Sequence, residues 1–321
     1  MGLYDFTIYD LINRNAVIFG KRQAWFEVDD GRTLTFSEFK EKIDRIACGL
    51  QMEGIKRGDR IGVLGKNSLE YFLLYGAAAA LGAIMLPINW RLSSDEVCFN
   101  LNDCEPEMLF VDAEYQDLIT GIKDKLLSVK KYYNLKPPGG SYNSFESLSN
   151  KSGDFTQVTV SADDGYVIIH TAAVKGRPRG ALLSQGNVLC ADIHWNCCLQ
   201  VTHDDVHLNL LPLFHVGGLF MATNCFHAGA LNINMSKFDA EKALELITEK
   251  RVSLFFDFSP ILASILEQQE KTGKDITSLR AVVGLDNPET ILKYQKNYRR
   301  DILLHVRSDR DIMCCYIRPL Q

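Results

Sequence analysis

From Leu34 to Val111 short apolar runs alternate with longer helix-like stretches, and this alternation restricts the fold more than any other feature of the chain. Thr35 or Ser37 can accept a first-turn N–H, so a helix is expected from there to about Glu53. Gly54 and Gly58-Asp59 punctuate the turn before a short strand, Arg60 to Leu64. Next are expected a helix from Glu70 to Leu81, a strand from Ala83 to Pro87, a helix capped by Ser93 or Ser94 and beginning at Asp95, and a strand from Met108 to Val111. Strands separated by helices of about 10 to 15 residues favour a largely parallel sheet, so the fold class is α/β. A connector rich in Pro, Gly, Ser and Asn occupies residues 135–161. A second set follows it: strand Tyr166 to His170, helix 184–199, strand His207 to Leu211, and helices Gly217 to Ala228 and Asp239 to Lys250. With 321 residues, two cores can be buried. The expectation is two similar layered α/β subdomains, 1–160 with the connector and 161–296, without internal repeats.

Tyr71 to Trp90 contains no charged residue and is about long enough to span a bilayer. It is rich in Ala and Gly and is interrupted by Pro87 and Asn89, which predicts a buried helix and strand rather than a transmembrane segment. A net charge of -5 without a long basic face before the tail excludes a nucleic-acid-binding role. Nine cysteines include no CxxC pair and no zinc-finger spacing, and Cys197-Cys198 and Cys314-Cys315 are adjacent in sequence. No metal site and no disulfide framework are expected, and a reducing cytoplasm fits best. The N-terminus, MGLYDFTIYD, lacks the basic and apolar regions of a signal peptide.

The stretch YVIIHTAAVKGRPRGALLSQGN, 166–187, is the most informative for chemistry. An apolar strand enters a loop carrying Gly176, Pro178 and Gly180 and three cations, Lys175, Arg177 and Arg179. Small residues let backbone N–H groups approach phosphate oxygens, and the cations neutralise charge. A basic surface turn without a ligand has the same composition. The segment resembles the phosphate loop of the AMP-forming acyl-CoA synthetases, approximately TSGTTGKPKG. Thr171, Gly176, Pro178 and Gly180 match, Arg177 and Arg179 stand at its lysines, and Ala172, Ala173, Val174 and Lys175 depart from it.

Other stretches resemble the same family in order and spacing: LTFSEF with GIKRGDRIGVLGKNSLEY, GAIMLPINWRLSSDEV, LPLFHVGGL at 211–219, and LRAVVGLDNPETI at 279–291. Together they cover roughly residues 5–296. The resemblance implies the large N-terminal domain of the adenylate-forming fold, incomplete at its C-terminus. It implies that Thr171, Lys175, Gly176, Arg177, Arg179 and Gly180 hold phosphate oxygens, and that Gly284, Leu285, Asp286, Asn287 and Pro288, where the family has GGAP, lie beside the adenine. It places His215 at the mouth of an acyl pocket as the catalytic residue that positions the carboxylate. Gly217 permits close helix packing, and Trp195, Phe256 and Phe258 line the acyl cavity, although such aromatics also serve as plain core. ATP, Mg²⁺ and CoA are the implied co-substrates and cofactors, a fatty or aryl acid the implied substrate, and a homodimer is compatible with it. No acidic residue follows the His215 element to pair with an α-amine, which disfavours an amino-acid substrate. The rival reading is a non-catalytic pseudoenzyme or ligand-binding fragment.

The family's YGxTE motif, whose Glu helps bind Mg²⁺, is absent from residues 297–321, which are Arg-rich and expected to be non-native. Codons compatible with this tail, started one base later, translate as ITGATFYSMYGQTETSCAVTFGRY, which contains the motif. The expectation is therefore a truncated chain, frame-shifted near Asn297 and weak or inactive as an enzyme. Resequencing the locus tests this: the shifted YGQTE reading should be present in the DNA, and a tail without it defeats the idea.

Overall fold

A computed structural model describes residues 5–137, 139–151, 153–171 and 178–298. In chain order the elements are α1 (Ile8–Ile18), β1 (Gln23–Glu27), β2 (Thr33–Thr35), α2 (Phe36–Met52), β3 (Arg60–Leu64), α3 (Leu69–Leu81), β4 (Ile84–Ile88), α4 (Ser94–Cys104), β5 (Met108–Val111), α5 (Gln116–Ile122), β6 (Lys131–Asn134) and α6 (Glu146–Ser149). They continue as β7 (Gly165–His170), β8 (Gly180–Ser184), α7 (Gln185–Leu199), β9 (Val206–Asn209), α8 (Val216–Ala228), β10 (Leu231–Asn234), α9 (Ala240–Lys250), β11 (Leu254–Phe258), α10 (Ile261–Thr272), β12 (Ala281–Leu285) and α11 (Pro288–Tyr298). Two compact units result. One comprises residues up to 22, 34–190 and 213–216, and the other comprises 23–33, 191–212 and the residues from 217.

The first unit is built on a sheet ordered β6-β5-β3-β4-β7-β8. Its strands pair in parallel except β7 with β8, which are antiparallel. Helices start where the sequence offers caps: the Thr35 and Ser93 hydroxyls accept from the N–H three residues on, and Glu38 and Glu96 return the bond. Such reciprocal capping satisfies two otherwise orphaned donors. Every residue of α3 is buried. That is why the run from Tyr71 carries no charge, and Gly82, at φ 65°, ends the helix in the left-handed conformation. Among the described residues no helix is long and apolar enough to cross a membrane. The connector does not separate the sheets, because β7 and β8 follow it and extend the sheet of β3 to β6. Pairing β4 with β7 satisfies an edge that would otherwise present unpaired N–H and C=O groups.

The second unit has a sheet ordered β12-β11-β9-β10-β1-β2. The ladders β1 with β10, β10 with β9, β9 with β11 and β11 with β12 are parallel. β1 comes from the N-terminal end of the chain and is inserted beside β10, a long-range pairing with no local signature. Leu208, Ile233, Leu244, Ile247, Phe255 and Ile265 form its core with Val282 and Tyr294.

Helices α2 and α6 meet at Gly49, where an added Cβ would lie 2.3 Å from the Leu148 carbonyl oxygen. The obstacle is backbone and cannot rotate away. Gly49→Ala should therefore lower stability by roughly 1–3 kcal/mol, read as a lower denaturant midpoint. An unchanged midpoint would show that α6 does not pack there.

Candidate active site

The described ends of the cation-rich loop are joined in the first unit. His170 pairs with Gly180 at the end of the β7–β8 ladder. Beyond it the Thr171 N–H donates to the Arg179 carbonyl at 3.0 Å, and the Thr171 hydroxyl reaches the same oxygen at 3.4 Å. Thr171, Arg179 and Gly180 are exposed. Lys175, Gly176 and Arg177 lie outside the described residues. The sequence expectation took the chain from the loop into a helix near Ser184. A strand, β8, intervenes, and the helix follows it from Gln185. Gln185 is fully buried, accepts from the Ile8 N–H at 2.9 Å and donates to the Ala79 carbonyl at 3.2 Å, which anchors the start of α7 to α1 and α3.

His215 belongs to the same unit, in the turn 213–216. Two buried hydrogen bonds hold that turn. The Leu213 N–H donates to Asn67 Oδ1 at 2.7 Å, and the Tyr75 hydroxyl donates to the Leu213 carbonyl at 2.9 Å. Phe214 meets the Trp90 ring edge-to-face at 6.4 Å, and the Arg91 guanidinium lies 4.0 Å from the Trp90 ring centre. Asn67, Trp90 and Arg91 follow the carboxyl ends of β3 and β4, the edge at which parallel sheets present ligand sites. Their positioning role was not read from the sequence, and the only available signal was their place just after predicted strands. His215 is exposed at its surface, yet the part of its ring withdrawn from water lowers its pKa, so the imidazole is neutral at neutral pH.

The remaining candidates lie in the second unit. Trp195 and Phe256 are brought together edge-to-face at 6.4 Å, whereas Phe258 is 56% exposed and takes no part in that contact. Gly217 is buried in the first turn of α8. At the next residue, Gly218, an added Cβ would lie 2.3 Å from the Pro212 carbonyl oxygen, so the chain crosses itself closely there. Gly284 to Pro288 run from the end of β12 into α11, with Gly284 and Leu285 paired to Asp257 and Phe258. Gly284 has φ 145°, and an added Cβ would lie 1.8 Å from the Asp257 carbonyl oxygen, so no larger residue fits.

Asp257 itself was not singled out in the sequence. It is fully buried, and its Oδ1 accepts from the Leu262 N–H at 3.0 Å. Burial first, and then the neighbouring Asp286 carboxylate, push its pKa up to about 7. A solvated aspartate ionises near pH ~4, so the Asp257 carboxyl retains its proton well above that pH.

Comparison with known proteins adds the family context. The sequence model of the family described as AMP-binding enzyme matches residues 12–300. Indoleacetate–CoA ligase from Aromatoleum aromaticum is 32% identical over 296 residues, 90% of this chain and 58% of that protein. The long-chain-fatty-acid–CoA ligase FadD13 from Mycobacterium tuberculosis is 29% identical over 88% of this chain and 56% of its own length. The chain thus spans a little over half of these curated relatives. A solved structure described as a long-chain-fatty-acid CoA ligase from Rhodopseudomonas palustris CGA009 superposes with a TM-score of 0.87 at 39% identity, over 94% of this chain and 75% of the other. The N-terminal domain of FACL13 from Mycobacterium tuberculosis gives a TM-score of 0.83 at 27% identity, over 91% and 74%.

The raised pKa of Asp257 predicts a pH response of definite sign. The folded protein keeps this proton to about pH 7, while the unfolded chain releases it near pH ~4. The contribution to stability is therefore full below about pH 4 and is lost as pH rises to about 7. Asp257→Asn keeps an acceptor for Leu262 and removes the charge. Thermal unfolding at pH 8 should show the variant more stable by roughly 2–4 kcal/mol, with a flatter pH profile between those limits. A profile identical to that of the unaltered protein would refute the assignment.

Proposed function

Because the chain belongs to the AMP-binding enzyme family, which it matches from residue 12 to 300, we propose that its fold serves to activate a fatty or aryl carboxylic acid with ATP. An oxygen of the substrate carboxylate attacks the α-phosphorus, the bond to the β-phosphate oxygen breaks, and pyrophosphate leaves. In the second half-reaction the CoA thiol attacks the acyl carbon, the acyl–phosphate bond breaks, and AMP departs. What most supports this reading is that relatives matching nearly the whole chain include ligases for indoleacetate and for long-chain fatty acids.

In this proposal Thr171, Arg179 and Gly180, with Lys175, Gly176 and Arg177, bind phosphate oxygens. The loop suits an anion because its described rim offers the Thr171 hydroxyl and an exposed Arg179. Gly284 to Pro288 flank the adenine, at the end of β12 where glycine at 284 lets the strand lie close against the Asp257 backbone. His215, neutral at neutral pH, orients the substrate carboxylate by donating a ring N–H without introducing a competing fixed charge. Trp195, Phe256, Phe258 and Gly217 contribute to the acyl cavity. Mg²⁺ accompanies ATP as a counter-ion of its phosphates, and no described residue is assigned to it. These residues act by positioning and by stabilising developing charge. The cysteine usage, without a disulfide framework, fits a reducing cytoplasm.

A second reading, a nucleotide-binding protein without ligase activity, is favoured by Ala172, Val174 and Lys175, which stand where the family has hydroxyl side chains, and by Ala173, which stands at one of its glycines. Both readings require nucleotide binding. Thermal shift and calorimetry with ATP, AMP and a non-hydrolysable acyl-adenylate analogue should show binding by the chain. Removing the Arg179 charge forfeits a charge-assisted hydrogen bond of roughly 1.5–3 kcal/mol, so Arg179→Ala should weaken ATP about ten- to a hundredfold. ATP-dependent hydroxamate formation with mixed carboxylic acids separates ligase from binding protein. Failure to bind any of the three nucleotides would overturn both.

A further inference from the structure

Three side chains of the first unit converge on one point for which the adenylating chemistry has no use. Asp103 and Cys104 close α4, and His170 closes β7. Their ligand-type atoms all lie within 4.8 Å of one another. His170 Nε2 stands 3.8 Å from Cys104 Sγ and 3.9 Å from Asp103 Oδ2. The His170 side chain is only 8% exposed, and its Nδ1 has no hydrogen-bond partner. From these contacts we propose that Asp103, Cys104 and His170 form a binding site for a divalent transition-metal ion of the zinc class.

The donor set decides the class of ion. One thiolate and one imidazole select a borderline-soft cation over Mg²⁺ or Ca²⁺, and the carboxylate completes a three-ligand set that leaves one position for water. Thiolate and carboxylate together carry two negative charges, which a divalent ion neutralises. For metal–ligand lengths of about 2.0–2.3 Å, the ligand atoms of a tetrahedral zinc stand about 3.3–3.6 Å apart. The separations of 3.8 and 3.9 Å need to close by a few tenths of an ångström, and the Asp103–Cys104 pair closes from within 4.8 Å.

The surroundings hold the carboxyl end of α4, which carries two of the ligands, in place. Arg60 Nε donates to the Cys104 carbonyl at 2.8 Å and Nη2 to the Glu105 carbonyl at 2.7 Å. Glu105, at φ 48°, caps α4 with its N–H on Leu101. The carboxyl end of a helix is the negative end of its dipole and favours a nearby cation. Cys104 is half-buried, and a thiol that ligates a metal does so as the thiolate, so binding releases its proton to solvent. The expectation of no metal site rested on local cysteine spacing and could not reveal a ligand set drawn from α4 and β7. The bound ion would tie the end of α4 to the strand that leads into the phosphate loop.

The test uses the purified full chain under reducing conditions. Titration with Co²⁺ should give a saturable thiolate-to-cobalt charge-transfer band at one equivalent, displaced by Zn²⁺, and Zn²⁺ should raise the unfolding temperature. Cys104→Ser should abolish the band, and His170→Gln should weaken Zn²⁺ at least tenfold in competition with a chromophoric chelator. Cys190→Ser, at an exposed position on α7, should change neither. Circular dichroism verifies that each variant folds. X-ray absorption at the zinc edge of the unaltered protein provides a measurement that needs no variant and should report one sulfur in the first shell. A zinc shell without sulfur, or a cobalt band that persists in Cys104→Ser, overturns the proposal.

Discussion

Parallel strands joined by crossover helices have to be covered on both faces, and meeting that requirement around β3 and β4 organises the first unit. Helix α3 is buried along its whole length, so it can carry no charged stripe. The same burial sets its tyrosines in the interior. Tyr71 and Tyr75 stack with ring centres 5.5 Å apart, and Tyr75 then has its hydroxyl placed to receive the turn that bears His215. A polar tip on an apolar body suits such a position, because the ring packs while the hydroxyl finds a partner. Thus the demand for a covered sheet leads directly to the fixing of a candidate catalytic side chain.

The second unit meets a different difficulty: its central strands carry polar side chains in the interior. Trp25 donates to Glu27, Asn234 donates to the Glu27 carboxylate, and Asn209 donates to Asn234. Glu27 and Asn209 are both partners of Asn234 in the strand register, so this polar row runs straight across β1, β10 and β9. One step along, Asn232 contacts His207 at 2.7 Å, and burial lowers the His207 pKa to about 4. Buried polar groups are tolerated when they satisfy one another. A register slip would leave each of them unpaired in the core, so the row specifies the pairing of β1 far more sharply than its few apolar residues could.

The tolerance is incomplete at several buried atoms, His207 Nε2 among them, and two further cases lie near the candidate sites. Asp257 has an orphaned oxygen and shares its surroundings with Asp286. His170 is buried with one ring nitrogen unpartnered. Both stand at or near strand ends beside segments proposed to bind nucleotide. Unsatisfied polar atoms of this kind are rare in folded proteins and concentrate at sites that bind something.

Much of this was decided by local sequence. The caps at Thr35 and Ser93, the strand at 60–64, the buried helix ending at Leu81 and the helix reaching Leu199 follow from periodicity and end signals that each segment carries by itself. The order of motifs likewise points to the AMP-binding family, which the comparisons bear out across residues 12–300. Sheet membership was not legible, because β1 pairs with β10 and β7 with β4 through contacts that no local pattern encodes. Nor was the convergence of Asn67 on Leu213, of Asp257 on Asp286, or of Cys104 on His170. Propensity and capping are short-range and are written in neighbouring residues, whereas hydrogen-bond partners, desolvation and ligand geometry exist only once distant segments are brought within a few ångströms.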